Sequence, residues 1–185
     1  MGTRPDCVND ELLDYFVELN KRYYVMIEYG VESTCNDTLR LINRGHNYAS
    51  AEEAIQKTAG KNLRTAAHLI LGLPGESREM ILSHADKISK LPLTAIKLHQ
   101  LQLIKGTAMA RQYAEHPERF NMMTADEYIE LVIDFLERLN PDIAVELFVS
   151  QSPGNLLIAP NWGLKNFEFV HKIEKRLQER YAWQG

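Results

Sequence analysis

The chain has 185 residues, enough for one domain with a real core. It is 45% hydrophobic and 25% charged, with a net charge of -4 and a pI near 5.9, the composition of an ordinary soluble globular protein. The acidic balance counts against a nucleic-acid grip built from a dominant basic surface and leaves room only for a local basic patch. No apolar run is long enough to span a bilayer and no charged-then-apolar leader opens the chain, so a cytoplasmic protein with no membrane partner is expected. Two cysteines, Cys7 and Cys35, lie far apart and form no Cys-x-x-Cys. By themselves they make neither a zinc site nor an iron–sulfur site, which need three or four ligands.

In chain order, Asn9 or Asp10 caps a helix carrying Leu12, Leu13, Phe16 and Leu19. Residues 24–29 form a β-rich run ended by Gly30. Asn36 is a good N-cap for a short helix through Asn43. Residues 50–53 read as a capping box, with Gly60 closing that helix. A second strand covers 65–71, and Ser77 caps the helix after it. A third strand runs from about 95 to 103. Thr124 and Glu127 form another capping box before Ile129, Val132, Ile133, Leu136 and Leu139, and Asn140-Pro141 stops that helix. A fourth strand covers 143–149, and a last helix, 166–180, packs through Val170, Ile173 and Leu177. Trp162 and Trp183 read as packing residues.

Strands thus alternate with helices, and no β-hairpin signal appears. This is the signature of parallel βαβ units in a single α/β domain, residues 1–185. Residues 2–6 sit where a strand-to-helix loop belongs, with no strand before them, so the chain begins inside a βα unit and Met1 is expected to lie outside the fold.

Sites in parallel βα folds lie at the C-terminal ends of strands. That rule selects residues 3–6, 28–33, 71–77 and 99–107. Glu28 and Glu32 are either solvated or paired carboxylates, or acceptors for an ammonium or hydroxyl group of a ligand. Arg44 either complements the end of a short helix or clamps a carboxylate through two points. Leu71-Gly72-Leu73-Pro74-Gly75-Glu76 is a strand-to-helix turn whose glycines admit a flat ligand, without matching a phosphate loop. His68 and His99 are either hydrogen-bonded core histidines or ligand contacts, Lys97 is a solvated or paired lysine, and Arg4 with Asp6 reads as an ion pair. His46, His84, His116 and His171 show no metal spacing and receive no role.

Three groups of residues together carry a family resemblance. They are Gly2-Thr3-Arg4-Pro5-Asp6; Glu28-Tyr29-Gly30-Val31-Glu32 with Asn43-Arg44-Gly45-His46; and His68 through Glu76. Lys97-Leu98-His99-Gln100-Leu101, Gly106-Thr107 and residues 156–162 extend it. In their order and spacing the chain resembles the later strands of a radical S-adenosylmethionine (SAM) barrel, as in oxygen-independent coproporphyrinogen dehydrogenases, the elongator catalytic subunit and, most of all, a bacterial Fe–S oxidoreductase family. The resemblance implies a half TIM-type parallel βα-barrel.

It also implies a SAM site. Glu32 stands near the SAM ribose or amino-acid moiety, and Arg44, twelve positions on, where some relatives hold the SAM carboxylate. His68 takes the place of an acidic ribose contact, Leu71, Gly72 and Leu101 line the adenine mainly through backbone, and Glu28 lies toward the SAM amino group. The family's chemistry uses a 4Fe–4S cluster on three cysteines to cleave SAM reductively to a 5′-deoxyadenosyl radical, which acts here on an unknown substrate. The cluster loop is absent, so the chain is expected to be an inactive portion of a longer enzyme and to pair as a homodimer through its open edges. Two rivals remain: a non-catalytic binding or scaffold domain, and a cluster-free barrel enzyme using Glu28, Glu32 and His68.

Overall fold

The computed structural model describes residues 1–185. Five parallel strands form the main sheet in the order β1 (Gly2–Thr3), β2 (Met26–Glu32), β3 (Arg64–Leu71), β4 (Ala95–Gln100) and β6 (Ala144–Leu147). Between them lie α1 (Asp10–Asn20), α2 (Asn36–Leu41), α3 (Tyr48–Gly60), α4 (Arg78–Ile88), α5 (Ala108–Glu115) and α6 (Ala125–Leu136), and α7 (Asn166–Arg180) follows. Each strand pairs with the one before it, so the sheet winds in one direction, as a partial parallel βα-barrel must. A separate antiparallel pair, β5 (Leu103–Ile104) with β7 (Leu157–Ala159), closes over the end of β4.

Alternation along the strands explains the layers. Ile27, Tyr29 and Val31 of β2, Ala67, Leu69 and Leu71 of β3, and Ile96 and Leu98 of β4 point to one face and are fully buried. Against them pack Leu13 of α1, Ile55 of α3, Ile81 and Ile88 of α4, and Ile129 and Val132 of α6. The other face carries Glu28, Gly30, Glu32, His68, Ile70, Lys97 and His99, all half-buried. No helix is long and apolar enough to cross a membrane.

Several elements depart from the sequence reading. Gly30 does not end β2, which runs on to Glu32 through a bulge between Gly30 and Glu32. Helix α3 starts at Tyr48, ahead of the expected box at residues 50–53, because the Asn47 carboxamide already accepts from the Ser50 N–H at 2.9 Å. Asn36 is the first residue of α2 rather than its cap, and its Oδ1 accepts instead from the Tyr48 N–H. The expected strand over 95–103 breaks after Gln100, where the chain turns off to form β5; this pairing with a segment over fifty residues later leaves no local signal. Met1 belongs to the sheet: its amine donates to the Met26 carbonyl and its carbonyl accepts from the Glu28 N–H, both at 2.8 Å. A strand end therefore precedes the first loop. Trp183 is 71% exposed and packs little.

The Thr124–Glu127 capping box and the Ser77 cap are present as expected. Helix α7 spans the expected residues but is anchored by Phe169 and Ile173, with Val170 only half-buried. Phe169 stacks on Trp162 with ring centroids 5.4 Å apart, and both lie against Tyr128. The Trp162 indole N–H donates to the Met123 carbonyl at 3.0 Å, which fixes residues 160–164 on the body of the fold. Phe169→Ala is therefore expected to lower unfolding stability by about 3–5 kcal/mol, read as a lower urea midpoint.

Candidate functional site

The polar residues selected from the sequence meet at the C-terminal ends of β2, β3 and β4. Arg44 owes its position to the end of α2. Asn43 adopts a left-handed backbone (φ 54°), the Arg44 N–H donates to the Leu39 carbonyl at 2.8 Å, and the Asn43 N–H donates to Arg40 at 3.0 Å. This is a Schellman turn with asparagine in the place usually held by glycine. It turns the Arg44 guanidinium away from the α2 carbonyls, so the helix-dipole reading of Arg44 is not what the structure shows. Arg44 Nη2 instead lies 3.0 Å from Glu32 Oε1 and donates to the Gly30 carbonyl at 3.0 Å, with His46 Nε2 3.1 Å from its Nε. His46, given no role from spacing, is thus part of the guanidinium's surroundings.

Glu32 itself has φ 66°, an uncommon conformation for a residue other than glycine. The bulge and this backbone together aim its carboxylate at Arg44. Burial pushes the Glu32 carboxyl up, against the opposing pull of Arg44. Gly30 leaves room for the pair: a Cβ there would meet the Arg44 guanidinium and stand 2.6 Å from Glu32 Oε1, so these side-chain ends would have to shift.

One layer deeper, a row of paired polar groups crosses the sheet. Glu28 on β2 receives His68 Nε2 of β3 at 2.9 Å and Lys97 Nζ of β4 at 2.7 Å, and Lys97 reaches Glu146 of β6 at 3.5 Å. Lys97, and then His68, hold the Glu28 carboxyl below the usual carboxylate range. The His99 ring stacks on His68 at 5.2 Å, and its Nε2 is buried without a partner. Burial, and then the His68 and Lys97 charges, depress the His99 pKa to about 4, so His99 is neutral at pH 7.

Above this layer opens a cavity of about 500 Å³. Glu32, Arg44, His68 and His99 form its polar side, and Ile42, Ile70, Leu73, Leu101 and Met109 much of the rest. Of the residues selected from the sequence, Glu32, Arg44, His68, His99 and Leu101 therefore reach the cavity. Glu28 supports His68 from below. The Leu71 side chain points into the helix-covered core, and its carbonyl accepts from the Leu101 N–H at 3.1 Å. Gly72 (φ 92°) makes the turn, and a Cβ there would stand 2.7 Å from the Met123 methyl. Arg4 and Asp6 form the expected ion pair at 2.5 Å.

One contact escaped the sequence reading, which took Glu76 only as part of the turn and gave His84 no role. Glu76 and His84 have fully buried side chains with Oε1 and Nε2 3.2 Å apart. Ser33 donates to Glu76 Oε1 at 2.5 Å, and Thr34 Oγ1 lies 2.7 Å from His84 Nδ1. They tie the loop after β2 to the turn after β3.

The charge layer makes a pH-dependent contribution. Because the Glu28 carboxyl is depressed, its stabilisation is present above the ordinary carboxylate range and is lost as pH falls through the lowered value. Lys97→Met is expected to cost roughly 1–2 kcal/mol at pH 7, with the gap to wild type closing below about pH 4, in urea titrations run across pH.

Comparison with known proteins places this geometry. Residues 1–88 match the Radical SAM superfamily, and residues 93–179 match the Radical_SAM C-terminal domain. The chain is 36% identical over 185 residues to the uncharacterized protein YtqA of Bacillus subtilis strain 168, covering all of this chain and 57% of that protein. It is 33% identical over 187 residues to the uncharacterized protein MJ0486 of Methanocaldococcus jannaschii, covering 58% of it. The chain thus spans a little over half the length of these curated relatives. The archaeal Methanocaldococcus infernus Elp3 with an N-terminal deletion superposes with a TM-score of 0.85, over 99% of this chain and 42% of that one, at 20% identity, which shows a shared fold. The two family matches, over residues 1–88 and 93–179, show that the chain belongs to the radical SAM superfamily.

Proposed function

We propose that this chain forms the SAM-binding side of a radical SAM enzyme. The observation that carries the reading is the Arg44–Glu32 pair, seated over Gly30 at one end of the cavity. A guanidinium and a carboxylate side by side complement an amino acid's carboxylate and ammonium. The apolar wall of Ile42, Ile70, Leu73 and Leu101 suits a flat ring, and the cavity volume suits a ligand of nucleoside size. The residues present therefore fit SAM, with Arg44 and Glu32 orienting its amino-acid end and His68, fixed by Glu28, facing its middle.

The cluster is a different matter. Cys7 and Cys35 are the only thiols, and no group of three His, Cys, Asp or Glu side chains is placed to hold a metal. These residues do not fit a three-thiolate cluster site, so no step through a cluster is assigned to them. In this superfamily bound SAM supplies one-electron hydrogen-abstraction chemistry; what this chain contributes is binding, orientation and a neutral His99 beside the ligand.

S-adenosylhomocysteine, which shares the SAM amino-acid and adenosine groups, is expected to bind in calorimetric titration. Arg44→Ala should weaken it by roughly tenfold to a hundredfold, from the loss of a charged hydrogen-bonded contact. Gly30→Ala should weaken it too, by driving Arg44 and Glu32 apart. Unchanged affinity in both variants ends the reading. The edges β1 and β6 also present unpaired backbone groups, which supports a homodimer. Sedimentation is expected to give twice the chain mass, and a persistent monomer at high concentration rejects it.

A further inference from the structure

Beside the cavity lined by Glu32 and Arg44 lies a second one of about 200 Å³, formed by the ends of β4 and the loop from Ser150 to Leu164. The two share Gln100, Gln102 and Ser150 as a common wall. Their chemistry differs sharply. The first cavity holds a carboxylate, a guanidinium and two imidazoles. Not one side chain lining the second is ionisable. Its polar groups are carboxamides and hydroxyls, chiefly Gln102, Gln151, Ser152 and Asn161, set beside the Trp162 indole.

The shared wall is built, not loose. Gln100 is buried, and both ends of its carboxamide are taken by the Ser150 backbone: Nε2 donates to the carbonyl and Oε1 accepts from the N–H, each at 2.9 Å. Gln102 Nε2 donates to the same carbonyl at 3.2 Å, and Gln102 Oε1 accepts from Ser152 Oγ at 2.7 Å. A carboxamide nitrogen carries two hydrogens. One on Gln102 is therefore spare, at the boundary of the two cavities. Asn161 uses Oδ1 to accept from the Gly163 N–H at 3.3 Å and keeps its NH2 free. Trp162 is held by Met123 and Phe169, so the wall keeps its shape.

We propose that this second cavity receives the reacting partner's uncharged, carbonyl- or amide-bearing group, with Gln102 and Asn161 donating to it. The inference rests on the reading of the first cavity as the SAM side. Spare N–H donors with no cation in the cavity's lining favour a neutral acceptor. A carboxylate or phosphate brought here would find no counter-charge in the lining. An ammonium would find no carboxylate. Gln102 is thereby a specificity-determining residue, and Gln100 a positioning residue that holds Ser150 in place.

The test uses the full chain and a matched pair of probes, nicotinamide and nicotinate, which differ in charge and little in shape. The chain has two tryptophans, so the indole N–H signals of Trp162 and exposed Trp183 report on the cavity and on an internal control. Nicotinamide is expected to shift the Trp162 signal saturably and leave Trp183 unmoved, while nicotinate shifts neither. Gln102→Glu should weaken nicotinamide by about tenfold, the equivalent of one lost hydrogen bond. Equal shifts by both probes, no shift by either, or an indifferent Gln102→Glu variant overturns the proposal. The S-adenosylhomocysteine titration reads Arg44 independently, so loss of one result with retention of the other tells which of the two cavities has been misread.

Discussion

A parallel sheet ordinarily has both faces covered, because its crossover helices bury apolar side chains on each. Here the helices cover one face only, and the chemistry of the other follows from that constraint. Strand alternation sends Ile27, Tyr29, Leu69 and Leu98 to the covered side and leaves Glu28, His68, Lys97 and His99 on the open side. Charged groups half out of water are tolerable only when paired. The result is the row Glu28–His68–Lys97–Glu146, in which two carboxylates flank two bases and satisfy them across four strands. It forms a polar floor, and the cavity above inherits rigid walls from it.

The site on that floor depends on backbone conformations that side chains usually avoid. Asn43 and Glu32 both have positive φ, and the strand bulges between Gly30 and Glu32. Each of these distortions turns a charged group toward the same point, which is where strain is commonly found in functional sites.

Much of this was legible in the residues. Thr124, Ser77 and Asn9 carry the local chemistry of helix starts, and β3 has the apolar density of a covered strand, so these elements read directly. The resemblance placed Glu32 and Arg44 each at a SAM group, and their contact with one another was not read from the sequence. What escaped had no local signature. The Ser33–Glu76 and Thr34–His84 bonds, the β5–β7 pair and the Gln100–Ser150 bonds each join segments far apart in sequence, and residue types alone do not announce such partners. Asn47 outcompeted the box after it because both patterns offer a valid cap and only tertiary packing chooses. Trp183 shows the converse: a large apolar residue is not obliged to be inside.

The buried Glu76–His84 couple has a mechanical consequence. Ser33 and Thr34 belong to the loop that follows Glu32, and Glu76 ends the turn that begins at Gly72. The couple locks these two loops into one body. A ligand held by Glu32 at one end and by the wall near Leu73 at the other would meet a single jaw rather than two independent fingers. Seating either end then aligns the other at little extra entropic cost, and a displacement of one loop is transmitted whole to its neighbour.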